Sequence, residues 1–314
     1  MSRSAYALQN LFKARLYHWL RLTLNQRRRT AVKKMLASSR KRFRRAYLLR
    51  YGTFNAREIV AELAKRIPES AEIVMVHSAY DRLLPMYSGT PEELINELIA
   101  FCGSKRTLAM PTFFLGGRTY DSIGYYRTRP FDVRRTPSEM GLLTEVFRRR
   151  PGVKRSLHPT HSICALGPRT DELIGTHHLA STRTGERTPF AAMTRRNTAI
   201  VGLGVEYYRC LTHTHTAEDL MGEEFPIEFT RVTLPVSMIN YDGGDVPFEL
   251  TVLRCATPLD NTLLRSLLSA DELVEWKFHG VALFVTNAQR VTEALIDAAR
   301  KGLTVFGRAS LAVN

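Results

Sequence analysis

Acidic residues are missing from the first fifty positions. That stretch holds fifteen of the chain's 45 lysines and arginines, and the remaining 30 balance the 30 aspartates and glutamates behind it. The net charge of +15 therefore belongs to an N-terminal arm, in front of an electrically even body. Cysteine is scarce. Cys102, Cys164, Cys210 and Cys255 stand far apart without a Cys-x-x-Cys pair, which argues against a disulfide framework and for reduced thiols in a cytoplasmic protein. No apolar run is long enough to span a bilayer, since the stretch from Tyr17 to Leu24 is broken by His18 and Arg21. The chain also lacks a Walker loop and a Gly-x-Gly-x-x-Gly after a strand, so the commonest phosphate cradles are absent, and Gly202-Leu-Gly204 is expected to mark a tight turn after a strand. What is present, 44% apolar and 24% charged residues, is the composition of an ordinary folded enzyme.

In the arm, Leu8, Leu11, Phe12, Leu16, Trp19, Leu20 and Thr23 recur at helical spacing. A second basic stretch, Arg40 to Arg50, interleaves Phe43, Tyr47, Leu48 and Leu49. Residues 1–52 are thus expected to form a basic, amphipathic, helical arm. Apolar anchors beside cations suit peripheral contact with the inner face of an anionic membrane through residues 1–50, or docking on the body or on a second subunit of a homodimer. Nucleic acid is the least expected partner.

Past Tyr51-Gly52 helices and strands alternate. Asn55-Ala-Arg-Glu58 and Thr90-Pro-Glu-Glu93 are capping boxes, the latter opening a helix to about Cys102. Thr136-Pro-Ser-Glu139 repeats the signature ahead of Met140 to Arg150. Ile73 to Val76, Thr107 to Met110, Ile163 to Leu166 and Ala199 to Val201 read as buried strands, and Val232 to Leu253, with Asp-Gly-Gly at 242–244, as an antiparallel pair. A helix near Ala288 to Lys301 closes the chain. The expected fold over 53–314 is a layered α/β body with a central mixed β-sheet flanked by helices.

Histidines cluster beside these elements, at His77-Ser78, at His158-Pro-Thr-His161 and at Thr212-His-Thr-His215-Thr-Ala-Glu218. On a helix His215 and Glu218 are one turn apart, so a carboxylate can fix the tautomer of an imidazole base. Thr212 lies one turn earlier, in place to position a reacting group. Two other chemistries compete on the residues alone. His158, His161, His213 and His215 are four potential metal ligands, with His213 and His215 on one face if the segment is a strand. Cys210 is a potential nucleophile. Free N–H groups at helix starts capped by Thr90 and Thr136 are candidate phosphate holders.

The ordered run Val76-His77-Ser78, Thr107-Leu-Ala-Met-Pro-Thr112, Phe131-Asp132, Thr136-Pro-Ser-Glu-Met-Gly141, Arg155-Ser-Leu-His158-Pro-Thr-His-Ser162, Gly202-Leu-Gly204 and Thr212-x-x-His215-x-x-Glu218 resembles the aminoglycoside 3-N-acetyltransferase family over about residues 53–310. The resemblance implies acetyl transfer from acetyl-CoA to an amine of an amino sugar or aminoglycoside, without a metal. It implies His215 as general base oriented by Glu218, with Thr212 and His158 near the reaction. His77, Ser78, Thr136, Ser138 and Gly141 would line the cofactor cleft. The chain departs from the family at Ala79, where a second serine is expected, and at His161 and His213. Asp81, Asp121, Asp132, Glu206 and Glu223 are the candidates to hold a cationic acceptor. A non-catalytic binding protein that keeps the fold is the competing expectation, and the joint presence of His215 and Glu218 speaks against it.

Overall fold

Asn55 accepts a hydrogen bond from Glu58 N while Glu58 bonds back to Asn55 N, and Thr90 and Glu93 do the same. These two boxes fix where the first helices of the body begin. The computed structural model describes residues 43–117 and 121–309, with isolated positions 31, 35 and 38. The stretch from Leu8 to Thr23, expected to be helical, lies outside the described residues. The end of the arm is helix α1 (Arg44–Tyr51), whose Tyr47 and Tyr51 pack against the same buried cluster as Trp276 and Phe278 of the body, while Phe43 and Leu49 are exposed. His279 Nδ1 meets the carbonyl of Tyr51.

Helix α2 (Ala56–Ala64) leads to strand β1 (Ile73–Ser78), and α3 (Pro91–Cys102) to β2 (Thr107–Pro111). After β3 (Phe131–Asp132) come α4 (Leu142–Phe147), β4 (Lys154–Arg155) and β5 (Ile163–Leu166). Helix α5 (Pro189–Arg195), β6 (Thr198–Leu203) and α6 (His215–Met221) follow. The hairpin β7 (Thr230–Ile239) and β8 (Asp245–Arg254), strands β9 (Leu273–Phe278) and β10 (Val281–Asn287), and helix α7 (Ala288–Arg300) complete the main elements.

The central sheet runs β4-β5-β2-β1-β6-β10-β9. Its middle strands β2, β1 and β6 are parallel, and those outside them pair antiparallel, which makes the sheet mixed as expected. Strand alternation divides the core. Ile73 and Met75 of β1 face a layer with Phe190 and Met193 of α5 and Val291 and Leu295 of α7. Val74 and Val76 face the opposite layer, against Ile59 and Leu63 of α2 and Leu94 and Leu98 of α3. Leu63 is fully buried, so Leu63→Ala would cost about 2–5 kcal/mol. A separate sheet, β3-β7-β8, has its own core of Phe131, Leu234, Val236, Met238 and Leu250.

Two local expectations need correction. Thr136 caps no helix: its hydroxyl accepts from Asp132 N at 2.9 Å, closing a turn, and α4 begins only after Gly141. Gly202 is not in a turn but inside β6, where a Cβ would overlap the ring of Phe284; the turn falls at Gly204, with φ +72°.

Candidate active site

The parallel strands β1, β2 and β6 end on the same edge of the sheet, and the segments that carry the histidines leave from that edge. Beyond Gly204 the chain makes the short helix Tyr207–Cys210 and a tight turn Thr212–Thr214, then enters α6 at His215. One helical turn brings His215 Nδ1 to 2.9 Å from Glu218 Oε1. The Glu218 side chain is 1% exposed and that of His215 17%, so the acid is enclosed and the ring retains an opening. Burial alone pushes the Glu218 carboxyl up, but His215 and Arg183 outweigh it and hold the group below the ordinary carboxylate range. The second carboxylate oxygen, Oε2, is buried without a partner. Glu218 therefore stands as an ionised acceptor, and a proton on Nδ1 leaves Nε2 as the ring's accepting atom.

The remaining expected residues fall into two groups. Ser78 and Gly141 come together: a Cβ on Gly141 would lie 3.8 Å from the Ser78 carbonyl oxygen, and the Ser78 hydroxyl is buried without a partner. Gly141 has φ +105°, a conformation open to glycine. His77 is buried, and desolvation lowers its imidazole to about 4. Ser138 accepts from Met140 N at 3.2 Å, and its own N–H goes to Glu145. The hydroxyls of Thr136 and Thr212 are tied to backbone, Thr212 donating to the Cys210 carbonyl at 3.3 Å. The Nδ1 hydrogen bonds of His158 stay within its own loop. It stacks on His177 with centroids 4.4 Å apart, and its Nδ1 accepts from the N–H groups of Thr160 and His161. That pins His158 as an Nε2–H tautomer and makes it the keystone of its loop.

The alternatives read from sequence fare differently. Among the described residues no group of three His, Cys, Asp or Glu converges as metal ligands. His213 lies on a helical turn and not on a strand; it is buried, with Nε2 3.0 Å from Thr194 Oγ1. Burial pushes the Cys210 thiol far up, against a thiolate nucleophile. At Thr90 the N–H is taken by Glu93. Of the acidic candidates, Glu206 is engaged by Arg82 at 2.7 Å and Arg209 at 3.1 Å, Asp121 caps Gly124 N, and Asp132 accepts from the N–H groups of Arg134 and Arg135. Asp81 and Glu223 are exposed.

Three further side chains, which the sequence motifs do not single out, complete the surroundings. Arg183 donates from Nη2 to Glu218 Oε1, and the same nitrogen is 3.1 Å from His215 Nδ1. Arg155 is a buried guanidinium whose Nε donates to Ser162 Oγ at 2.9 Å, Nη2 to the Thr112 carbonyl at 2.5 Å and Nη1 to the Thr136 carbonyl. It ties the end of β2, the start of β5 and the 136–141 segment together, with Phe131 of the small sheet 4.9 Å beneath it. His177 bonds Ser156 at 2.8 Å. Arg155 does stand in one of the quoted motifs, and an arginine between a strand and a Ser-x-His run is the clue that was available.

An α/β layer with a braced imidazole at its strand ends suits proton removal during group transfer. Residues 75–298 match the aminoglycoside 3-N-acetyltransferase family model, and the chain belongs to that family of acyltransferases. It is 24% identical over 237 residues to aminoglycoside N(3)-acetyltransferase IX of Micromonospora chalcea, covering 70% of this chain and 84% of that one. It is 29% identical over 119 residues to aminoglycoside N(3)-acetyltransferase IV of a Salmonella species, a match spanning 37% of this chain and only 41% of the relative. In structure it resembles the aminoglycoside acetyltransferase AAC(3)-Xa, with TM-score 0.68, 22% identity and coverage of 84% of this chain and 99% of the other. The AAC-IIIb enzyme solved as a binary complex with CoASH aligns at TM-score 0.63 and 20% identity, over 82% and 100% of the two chains.

Proposed function

We propose that the protein transfers the acetyl group of acetyl-CoA to an amine of an amino sugar or aminoglycoside, directly and within a ternary complex. The observation that carries this reading is the 2.9 Å contact between His215 and an enclosed, ionised Glu218. An alkylammonium is not a nucleophile, so a base must take its proton before or during attack. Glu218 holds Nδ1–H, and His215 Nε2 accepts the amine proton as the C–N bond forms and the C–S bond of the thioester breaks. Acetyl-CoA supplies the activated acyl group. The orphaned hydroxyl of Ser78 and the open Gly141 beside it fit a cofactor contact, with His77 and Ser138 flanking them. Thr136 contributes by shaping the turn, Thr212 by fixing the backbone ahead of the base, and His158 by holding the 158–161 loop.

This assignment goes with a cytoplasmic enzyme, and no described helix is long and apolar enough to cross a membrane. Peripheral membrane contact through residues 1–50 is part of the proposal, with docking or a homodimer contact as the alternative for the same arm. Because Tyr47 and Tyr51 pack on the body, the arm is best tested by removing residues 1–42. Liposome binding should be lost, with catalysis unchanged. The function itself is tested by thiol release from acetyl-CoA against a panel of aminoglycosides and nucleotide-linked amino sugars, with His215→Gln beside the wild type. Turnover that survives this substitution removes His215 as base.

A further inference from the structure

Arg183 stands 32 and 35 positions before the two residues it touches, in a loop joining Ala180 to Thr188. The loop is held in place independently of its guanidinium. Asp219 accepts from Thr184 N at 2.8 Å and from Thr184 Oγ1 at 2.6 Å, Thr182 Oγ1 accepts from Gly185 N at 3.0 Å, and Thr188 Oγ1 donates to the Gly185 carbonyl at 2.6 Å. The Arg183 side chain is 17% exposed, and its Nε is buried without a partner. A guanidinium has only donors and keeps its charge at every working pH.

We propose that Arg183 is a positioning residue that biases His215 toward its proton-accepting form. The proposal rests on the reading of His215 as the base. Several groups face that ring. Glu218 and Asp219 come from its own helix, Asp219 being turned toward Thr184. Arg183 comes from the 180–188 loop and His161 from the segment before β5; the Phe306 ring, 6.3 Å away, is apolar. His161 is kept neutral, first by burial and then by the charge of Arg183. Of these groups only Arg183 carries a fixed positive charge.

Two consequences follow for the proton. A cation 3.1 Å from Nδ1 disfavours a second positive charge on the ring and so opposes the pull of the Glu218 carboxylate for one. Arg183 also shares Oε1 with His215 and keeps Glu218 ionised. A tautomer with the Nδ1 lone pair toward Arg183 would set that pair against an anionic oxygen 2.9 Å away. The favoured tautomer therefore has Nδ1–H on Glu218 and a free lone pair on Nε2.

The test follows the His215 Cε1–H signal by NMR from pH 6 to 9, assigned by its disappearance in H215Q. In R183Q the pH at which the signal changes should move up by about one unit or more, the size of effect expected for removing an adjacent charge. In R183K, which keeps the charge, it should move less than half as far. An unchanged R183Q profile, or an R183K profile displaced as far as R183Q, overturns the proposal. If R183Q gives a poorly dispersed spectrum, R183A is read in its place by the same criterion. The two levels separate cleanly. If H215Q still releases thiol at the wild-type rate, the base reading fails. If H215Q is inactive while R183Q titrates like the wild type, only the role of Arg183 fails.

Discussion

Mild acid should unfold this protein before it titrates the carboxylates. Four imidazoles, His77, His158, His177 and His213, are buried and His161 is half-buried; desolvation lowers every one of them, with His77 at about 4 and His158 and His213 at about 3. In the unfolded chain the same rings protonate near about 6.5. A depressed folded value means the unfolded state binds more protons as pH falls below that point. The stabilisation is therefore complete above about 6.5 and is lost progressively toward the folded values.

Taking only the three rings with values near 3 and 4, nearly three protons separate the two states between pH 6 and 5, a slope of about 3–4 kcal/mol per pH unit. Asp219, raised mainly by burial, works in the opposite sense by at most one proton, about 1.4 kcal/mol per pH unit. Glu218, Glu206 and Glu145 are held below the usual range, so their contributions persist above about 4.3 and fade only at lower pH. A net loss of at least about 2 kcal/mol per pH unit remains, against a total stability of about 5–15 kcal/mol. Urea unfolding at pH 7, 6, 5.5 and 5 measures it directly. His213→Gln, which removes one titrating ring, should flatten the slope by about one proton. A wild-type slope below about 1.4 kcal/mol per pH unit between pH 6 and 5 would refute the claim that these rings are buried and neutral.

Three other outcomes are expected. Arg155→Met takes the guanidinium donors from Ser162 Oγ and the Thr112 and Thr136 carbonyls, partly offset by sparing the desolvation of a buried cation, so stability should fall by about 1–3 kcal/mol, and calorimetry should show Tm lower by roughly 2–12 °C; a change under about 1 °C would mean the clamp does not hold these segments. Glu218→Gln keeps the size and one acceptor oxygen but loses the charge, so kcat/KM for acetyl transfer should fall about 10²–10³-fold at pH 7.5 with substrate binding less affected. Gly202→Ala would drive a methyl into the Phe284 ring inside β6, and the urea midpoint should fall by an amount equivalent to about 1–3 kcal/mol.

What was legible in the chain was local. Asn55 and Thr90 announce their helices because the whole capping box lies within four residues and nothing distant competes for it. The Thr136 box has the same letters, but its side chains are claimed elsewhere: Thr136 by Asp132 N and Glu139 by Leu115 N. A positive-φ glycine at 141 then delays the helix to Leu142. Apolar runs marked the buried strands, and the Asp-Gly-Gly turn marked the β7–β8 pairing, whose register from Thr230 opposite Arg254 to Ile239 opposite Asp245 follows from a short connection. The order of strands in the large sheet had no such signal. β1 is hydrogen-bonded to β2 and to β6, more than a hundred residues later, and only the packing of helices on both faces decides that.

The site divides along the same line. His215 and Glu218 were readable because three residues on a helix make one turn, and their 2.9 Å contact needs nothing beyond that local geometry. Whether the pair works as a base depends on charge brought from elsewhere. A His–Glu pair alone favours the protonated ring, since the carboxylate stabilises imidazolium. Arg183 answers that bias by taking the same carboxylate oxygen and placing a fixed cation beside Nδ1. It comes from a loop without apolar period, shaped by Thr182, Thr184 and Thr188 and anchored through Asp219, so no spacing rule in the sequence joins it to His215. The same loop thus links an orienting acid, a charge-balancing cation and the base into one electrostatic unit. That unit carries no net charge when the ring is neutral, and an incoming proton is the event that unbalances it.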